Sequence, residues 1–449
     1  MRKLVSIFLI FICFSCSKDG IRVNVDGQTP PTVFLGEIDW IKNFGGSGED
    51  TAQSIIATSD GGYAVFGYTN SVDGDVSDKT MQVVDYWLLK LDAQGNLQWN
   101  KTYGGSGEDK GQAVIQTSDG GYALTGYAQS ADGDGSSNEG FHDNWIIRLN
   151  TQGNILWERS FGFSGHDHSY DIMQTDDGGL FFVGSLDITA AREDGFAEKG
   201  ASLTRHGIGE FWGIKLDSEG NIEWRRYFGG SNFDRAFGVV QANDGGFVMA
   251  GFSESDDFDI KASRGSYDFW VVKVSSDGFL AWERSYGGTG IDRSYSIVNA
   301  ADGGYAIAGQ TLSTDADVSK NNGESDIWLI KLDDDGNMVW ERSFGGSGFE
   351  LADGLTLLAN GGFMIAGNSK SSDGDPIENM GENDLWIIRT DSNGRLEWQK
   401  SIGGSDLDYG FDVLENPDGS ILVVGETASQ DFPDIQNKGL TDAVVIKIK

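Results

Sequence analysis

Seven copies of one sequence unit constrain the fold of this chain more than any other feature. Each copy carries a tryptophan, a Lys or Arg two residues later and then a glycine-rich segment, as in GNLQWNKTYGGSGED at residues 95–109. Successive tryptophans are 58 or 59 residues apart, except for one interval of 67 residues. The seven are Trp40, Trp99, Trp157, Trp224, Trp282, Trp340 and Trp398. Repeats of this length cannot bury their apolar faces singly, so we expect them to stack into one body.

Within each unit the sequence predicts two β-hairpins, whose strands we call A, B, C and D. In the second unit, the runs 112–117 and 122–128 flank an Asp-Gly-Gly turn, and the runs 144–149 and 155–161 flank a second glycine-containing turn. Such turns need the positive φ that glycine tolerates. Residues 36–449 show no helical periodicity, so the fold class is all-β.

The phase of the repeat predicts how the body closes. Residues 36–44 match a D strand with no A, B or C strand before it, whereas the last unit ends after its C strand, at 443–448. The N-terminal strand therefore supplies the missing D strand of the last unit. This overlap predicts a seven-bladed β-propeller with four-stranded blades, formed by residues 36–449.

The first 35 residues lie outside the repeat and resemble an export signal. Two bases precede an apolar run at 4–14, which is too short to span a membrane permanently and leads to Cys16. Cys16 resembles the acylated cysteine of bacterial lipoproteins. We therefore expect a lipoprotein signal peptide at 1–15, a tether at 16–35 and a membrane anchor through a lipid on Cys16. The expected location is the cell envelope, as a lipoprotein of the outer membrane, and an ordinary secreted protein is the alternative.

The chain is strongly acidic, with a formal net charge of −36 from 69 acids and 33 bases. This charge repels nucleic acid, so we expect no nucleic-acid partner. Cations are the natural counter-partners, although solubility alone also explains such a charge. We expect a monomer.

Tryptophan is a common platform for sugars, but here it follows the repeat. Seven tryptophans lie on the D strands, and six more lie on the C strands at Trp87, Trp145, Trp212, Trp270, Trp328 and Trp386. Packing between twisted blades explains these positions better than ligand stacking. The base two residues after each D-strand tryptophan is expected to cover the indole with its stem.

Two acidic features are predicted on the face that carries the DA and BC loops, called the loop face below. Each DA loop ends in an acid, namely Asp50, Asp109, Asp167, Asp234, Asp292, Glu350 and Asp408. Because an acid recurs in every unit, a structural role in its own loop is favoured over a ligand site. Five BC loops carry Asp-x-Asp, at Asp73 and Asp75, Asp132 and Asp134, Asp257 and Asp259, Asp315 and Asp317, and Asp373 and Asp375. These carboxylates are candidate calcium ligands, and solvated turns are the alternative.

The clearest break in the repeat is the long third BC loop, residues 187–209. All four histidines of the chain lie in or near this loop, at His142, His166, His168 and His206. They are candidate ligands for a transition metal such as zinc, with Asp167 or Asp143 alongside. Surface histidines without a ligand are the alternative. If they form a site, it lies on the loop face over blades two and three.

The repeat resembles a group of extracellular Gram-negative repeat proteins that are lipoproteins or carry a C-terminal sorting domain. The resemblance rests on W-x-K-x-(F/Y)-G-G-S-G-x-D, D-G-G-(Y/F) and D-x-W-(I/L)-(I/L)-(K/R), and it covers residues 36–449. Some members of the group are labelled endoglucanase-like, but the label carries no catalytic residue over to this chain.

Two functions are compatible with the sequence. The first is a non-enzymatic, envelope-anchored scaffold that binds a glycan, peptide or protein on its loop face, with calcium or zinc as candidate ions. The second is a polysaccharide-degrading enzyme that uses loop-face carboxylates. Loops of near-equal sequence favour the first, since catalysis needs one distinct constellation, and no catalytic motif is present.

Overall fold

A computed structural model describes residues 34–163, 165–187 and 209–449. They form seven four-stranded antiparallel sheets, which are the blades of a seven-bladed β-propeller. The predicted fold class is confirmed. The signal peptide, the tether and Cys16 fall almost wholly on residues 1–33, outside the described residues, so those assignments and the domain boundaries they set remain predictions. The described residues contain no helix that is long and apolar enough to cross a membrane.

The strands follow the chain from the inner edge of each blade to its outer edge. Blade 1 comprises β2 (Asp50–Ala57), β3 (Tyr63–Thr69), β4 (Asp85–Leu91) and β5 (Leu97–Tyr103). Blade 2 comprises β6 (Asp109–Gln116), β7 (Tyr122–Ala128), β8 (Asp143–Leu149) and β9 (Ile155–Phe161). Blade 3 comprises β10 (His168–Gln174), β11 (Leu180–Leu186), β12 (Glu210–Leu216) and β13 (Ile222–Phe228). Blade 4 comprises β14 (Asp234–Gln241), β15 (Phe247–Ser253), β16 (Asp268–Val274) and β17 (Leu280–Tyr286).

The remaining blades repeat this order. Blade 5 comprises β18 (Asp292–Asn299), β19 (Tyr305–Thr311), β20 (Asp326–Leu332) and β21 (Met338–Phe344). Blade 6 comprises β22 (Glu350–Leu357), β23 (Phe363–Ser369), β24 (Asp384–Thr390) and β25 (Leu396–Ile402). Blade 7 comprises β26 (Asp408–Glu415), β27 (Ile421–Thr427), β28 (Asp442–Ile448) and β1 (Ile38–Phe44). Strand β6 begins at Asp109, three residues before the predicted start at residue 112, because the polar side chain of Asp109 does not match an apolar strand pattern.

The ring closes as the repeat phase predicts. Strand β1 pairs antiparallel with β28, with Phe44 opposite Ala443. The N–H of Leu35 also donates to the carbonyl of Lys449 at 3.0 Å. This pairing covers the outer edge of β28, so blade 7 has the same four strands as the other blades.

The hydrophobic core lies between the blades. The six C-strand tryptophans are at most 1% exposed. Each D-strand tryptophan packs against the next blade, as Trp40 does against Gly95 in the CD turn of blade 1. The predicted base lies over the indole in five blades, for example Arg342, whose guanidinium is 5.3 Å from the ring centroid of Trp340. Both sets of tryptophans are therefore scaffold residues, as the sequence indicates.

Candidate functional site on the loop face

The DA-loop acids hold the loop face together. All seven are fully buried. Each accepts a hydrogen bond from the backbone N–H four residues before it, at 2.6–3.1 Å. Asp292, for example, also accepts from the hydroxyls of Ser313, at 2.8 Å, and Thr311. The structural role that the sequence favours for this set is thus observed.

A second set of buried acids, which sequence reasoning missed, begins the C strands. It comprises Asp85, Asp143, Glu210, Asp268, Asp326, Asp384 and Asp442. A Cβ added at Gly345 would lie 2.4 Å from Oδ1 of Asp326 and 2.7 Å from Oε2 of Glu350, so the two carboxyls approach the same point across a blade junction. Burial raises the pKa of Asp326 to about 6. In the sequence, an acid stands two residues before the C-strand tryptophan position of every unit, and this recurrence could have identified the set.

The Asp-x-Asp pairs join the BC loop to the DA loop that enters the same blade. In all five pairs, Oδ1 of the first aspartate accepts a backbone N–H at 2.7–2.8 Å. Oδ2 of the second accepts the N–H of a glycine at 3.0–3.2 Å. In the described part of the chain, these aspartates do not converge with a third His, Cys, Asp or Glu side chain. The contacts give the pairs a structural role, and calcium binding remains a prediction.

Three of the four histidines meet on the loop face. Nδ1 of His142 lies 3.1 Å from Nδ1 of His166 and 3.2 Å from Nε2 of His168. The three candidate ligand atoms lie within 4.8 Å of one another. His206 and residues 188–208 of the enlarged loop lie outside the described residues. The structure thus brings together the predicted histidines that it describes.

The repeat itself places these side chains. His142 and His166 form a parallel β-bridge at the junction of blades 2 and 3. The same bridge joins Tyr267 to Ile291, Ser325 to Phe349, Asn383 to Leu407, and Glu49 to Thr441 at other junctions. His168 follows buried Asp167 as the first residue of β10. One blade junction therefore carries histidine at three positions that other blades fill with unrelated residues.

Aromatic rings surround the histidines. His168 stacks on Tyr127 with ring centroids 3.9 Å apart, and its Nδ1 lies 3.2 Å from the hydroxyl of Tyr170. His166 is exposed, and its ring contacts Phe141 at 4.6 Å. Burial, followed by the neighbouring positive groups, lowers the pKa of His168 to about 3, and burial also lowers the pKa of His142. The neutral forms, which have lone pairs available, are therefore favoured at neutral pH.

Asp167 and Asp143, named with the histidines from sequence, do not belong to the same cluster. The carboxylate of Asp167 accepts the N–H of Phe163 at 2.6 Å and that of Asp187 at 2.7 Å. Burial raises its pKa to about 7. Asp143 accepts the N–H of Glu139 at 2.8 Å. These contacts are those of the two structural acid sets, so proximity in sequence was misleading here.

The A strands are the innermost strands of the propeller, and we call the opening that their first residues surround on the loop face the channel mouth. Asp171 in β10 accepts the N–H of Val239 in β14 at 2.9 Å, which links successive A strands directly. The residue that follows each DA-loop acid differs from blade to blade, except that two blades both carry arginine. These residues are Thr51, Lys110, His168, Arg235, Arg293, Leu351 and Tyr409. The variation at this position, next to an acid present in every unit, was visible in the sequence and could have indicated this surface, but it was missed.

Three of these residues, Lys110, Arg235 and Arg293, form what we call the basic sector. Each cation lies against an aromatic ring. The guanidinium of Arg293 is 4.2 Å from the ring centroid of Tyr267, and Nζ of Lys110 is 5.2 Å from that of Tyr68. Among the described residues, Nε of Arg293 is buried and has no hydrogen-bond partner. The basic sector thus places three cations on a chain that is acidic overall, with the carboxyl groups of Asp353 and Glu426 nearby.

A cavity of about 450 Å³ adjoins the mouth at blades 6 and 7. Its lining includes the apolar and aromatic side chains of Phe349, Leu351 and Tyr409 together with the carboxyl groups of Asp353 and Glu426. Burial raises the pKa of Asp353 to about 7 and also raises the pKa of Glu426. The cavity therefore offers apolar rings together with carboxyl groups that retain protons more strongly than free acids.

Comparisons with known proteins bear mainly on the fold. No protein-family model matches the chain. A curated relative, the regulatory protein FlaEY of Caulobacter vibrioides, is 27% identical over 175 residues, which cover 36% of this chain and 18% of that protein. The chain therefore matches less than a fifth of the relative's length.

Several solved structures are similar at low identity. BBS1N in complex with ARL6DN has a TM-score of 0.46 at 10% identity and covers 93% of this chain and 97% of its own. YCF48 from Cyanidioschyzon merolae has a TM-score of 0.45 at 10% identity, over 91% and 98%. A protein of unknown function from Bacteroides caccae has a TM-score of 0.38 at 13% identity, over 70% and 89%. The sheet topology confirms the repeat propeller to which the sequence resemblance points, and the Gram-negative lipoprotein group and the endoglucanase-like label are not confirmed.

Proposed function

We propose that the protein is a non-enzymatic binding module, held at the cell envelope by a lipid on Cys16, whose ligand docks at the mouth of the central channel. The observation that carries this proposal is the contrast between two adjacent positions of the A strands. The first is always an acid and is fully buried. The second faces the mouth and varies from blade to blade, as expected where a symmetric scaffold presents an asymmetric surface to a ligand.

The basic sector of the mouth favours a ligand with negative charge. The basic sector provides cations from blades 2, 4 and 5 of a chain with a net charge of −36. Aromatic rings next to these cations offer flat apolar surfaces with polar edges. A glycan, peptide or protein segment could use both features, and a glycan with carboxylate groups fits them best, because its sugar faces and its charges are both matched.

A binding assay with polygalacturonate, with neutral amylose for comparison, tests this proposal. We expect the chain to bind the acidic polymer in preference to the neutral one. The double variant Arg235→Ala/Arg293→Ala should lose at least about tenfold in affinity, since hydrogen bonds to charged groups contribute roughly 1.5–3 kcal/mol each. The matched control is Arg284→Ala/Arg342→Ala, which removes two arginines from the outer D strands.

Equal losses in both double variants, or no binding of any anionic polymer in a wider glycan array, would contradict docking at the mouth. Release of new reducing ends from the bound polymer would contradict the non-enzymatic part of the proposal. Binding and the release of reducing ends are measured on the same preparation, so cleavage of the polymer is not mistaken for a lack of binding.

The lipid anchor has its own test. Cys16→Ser should move the protein from the membrane fraction to the soluble fraction, because the substitution removes the acylation site. Cys13→Ser is the matched control, since it alters the other cysteine of the chain. Retention of the Cys16→Ser variant in membranes washed with high salt would place the anchor elsewhere.

A further inference from the structure

We propose that His142, His166 and His168 bind one transition-metal ion of the zinc class, with a fourth coordination position left for water or for a donor atom of a bound molecule. The site lies at the junction of blades 2 and 3. It goes beyond the ligand docking proposed for the channel mouth and does not depend on it.

The nitrogen positions fit one tetrahedral ion. Zinc binds histidine nitrogen at about 2.0–2.1 Å, so neighbouring ligand atoms lie about 3.3 Å apart. His142 Nδ1 is 3.1 Å from its counterpart in His166 and 3.2 Å from Nε2 of His168. Since all three atoms lie within 4.8 Å of one another, small side-chain rotations complete the geometry.

A neighbouring group orients one of the ligands. Nδ1 of His168 lies 3.2 Å from the hydroxyl of Tyr170, while Nε2 faces the other two histidines. A partner on the second ring nitrogen is the usual device that fixes the tautomer of a metal-bound histidine. The stacked ring of Tyr127 limits rotation of the same imidazole.

A hydrogen-bonded trio of neutral histidines is the other explanation for the cluster. It requires Nδ1 of His142 to form hydrogen bonds with both His166 and His168 at once. One metal ion instead accepts the lone pairs of all three rings. The equivalent bridge at the junction of blades 6 and 7 pairs Asn383 with Leu407, so the scaffold itself does not require histidine. Three imidazoles suit zinc, copper and nickel, and the absence of sulfur ligands disfavours soft-metal sites.

The charges around the site bear on its fourth ligand. Lys110 and Arg235 act electrostatically on His168 and oppose an added dication, whereas Glu108 acts on His142 in the opposite sense. An anionic donor, such as hydroxide or a carboxylate, offsets that repulsion and is favoured over a neutral one.

Calorimetric titration of zinc into chelator-treated protein without a polyhistidine tag tests the site. We expect one zinc per chain, and strong visible absorption of four-coordinate cobalt when Co²⁺ replaces zinc. His166→Ala and His142→Ala should each weaken binding by at least about 100-fold, because loss of a ligand should exceed the 10–100-fold effect of losing an outer partner. Tyr170→Phe should cost about tenfold. The matched control, Asn383→Ala/Leu407→Ala, alters the equivalent bridge and should leave the affinity unchanged.

Unchanged zinc affinity in His166→Ala, or no stoichiometric binding by the wild-type chain, would overturn the proposal. His166 is exposed, so this variant should keep the wild-type melting temperature, and a loss of binding then reports the ligand rather than unfolding. The polygalacturonate assay is run in chelator, so failure of the metal site and failure of docking at the mouth are distinguishable.

Discussion

The acids that begin the A strands and the residues that follow them lie side by side on the loop face, yet only the first set is kept from blade to blade. Asp292 is fully buried and accepts hydrogen bonds from three groups of its own loops. Arg293, the next residue, is partly exposed and lies against Tyr267. Since successive side chains of a strand point to opposite sides, one position holds the loops and the other faces the channel mouth. Repetition therefore identifies residues of the scaffold, whereas variation identifies the candidate site.

The largest effect expected from this comparison concerns the closing strand. Deletion of residues 36–46 removes the D strand of blade 7 and exposes the edge of β28. We expect a loss of more than about 4 kcal/mol of unfolding free energy, the range of exceptional structural damage. Deletion of a loop of equal length should cost far less. Equal melting temperatures for the two deletions would break the distinction between kept and varied segments.

Asp292 and Arg293 are adjacent in β18 and can be substituted one at a time. Asp292→Ala leaves the N–H of Gly288 and two hydroxyls without their acceptor, and each buried unsatisfied group costs about 1–3 kcal/mol. We therefore expect a loss of about 3 kcal/mol or more in chemical denaturation. Arg293→Ala removes cation–π contacts with Phe252 and Tyr267 and a hydrogen bond to Tyr295 from a partly exposed side chain, and should cost clearly less than Asp292→Ala. Equal losses would show that both positions serve the scaffold.

The buried acids also predict a dependence of stability on pH. Burial raises the pKa of Asp326 and Asp384 to about 6 and that of Asp234 to about 7. Because an unfolded aspartate titrates near 3.9, the folded state binds these protons more tightly. Their contribution to stability is complete below about pH 4 and is lost as the pH rises through the folded pKa values. We expect a higher melting temperature at pH 5 than at pH 7.5.

A pair of variants separates this effect from the net charge of the chain. Asp326→Asn removes one raised group and should stabilise the protein at pH 7.5 by about 1 kcal/mol, with little change at pH 5. Asp244→Asn is the control on the opposite face, where a hydrogen bond from Lys273 lowers the pKa of the carboxyl. It should not raise the melting temperature at pH 7.5. The same response from both variants would assign the pH dependence to net charge.

The smallest effect is expected at the Asp-x-Asp pairs. Asp315→Ala removes the acceptor of both the N–H and the hydroxyl of Thr289, which lie near the surface, and should cost about 1 kcal/mol. Since these carboxylates already accept backbone N–H groups, we expect millimolar calcium to leave the melting temperature of the wild-type chain unchanged. A calcium-dependent rise that disappears in Asp315→Ala would instead restore the cation-binding interpretation.

The all-β class, the seven blades and the closing strand could be predicted from the sequence, because the strand patterns, the turn residues and the phase of the repeat are all visible in the order of the residues. It also placed His142, His166 and His168 in one sector, since they fall in loops of adjacent blades. The sequence also shows the constant acid followed by a variable residue that identifies the channel mouth. Interpreting this pattern requires knowing that the A strand is the innermost strand of each blade.

Which polar groups converge depends on how the blades pack, and the sequence alone does not show it. Asp167 is the immediate neighbour of His168 in sequence, yet its carboxylate points into the loop while the imidazole meets His142 from another blade. Likewise, Asp326 and Glu350 approach each other across a blade junction that no local pattern reveals. Sequence spacing determines strands and turns because these depend on neighbouring residues, whereas a site depends on side-chain direction and on the packing of blades that are distant along the chain.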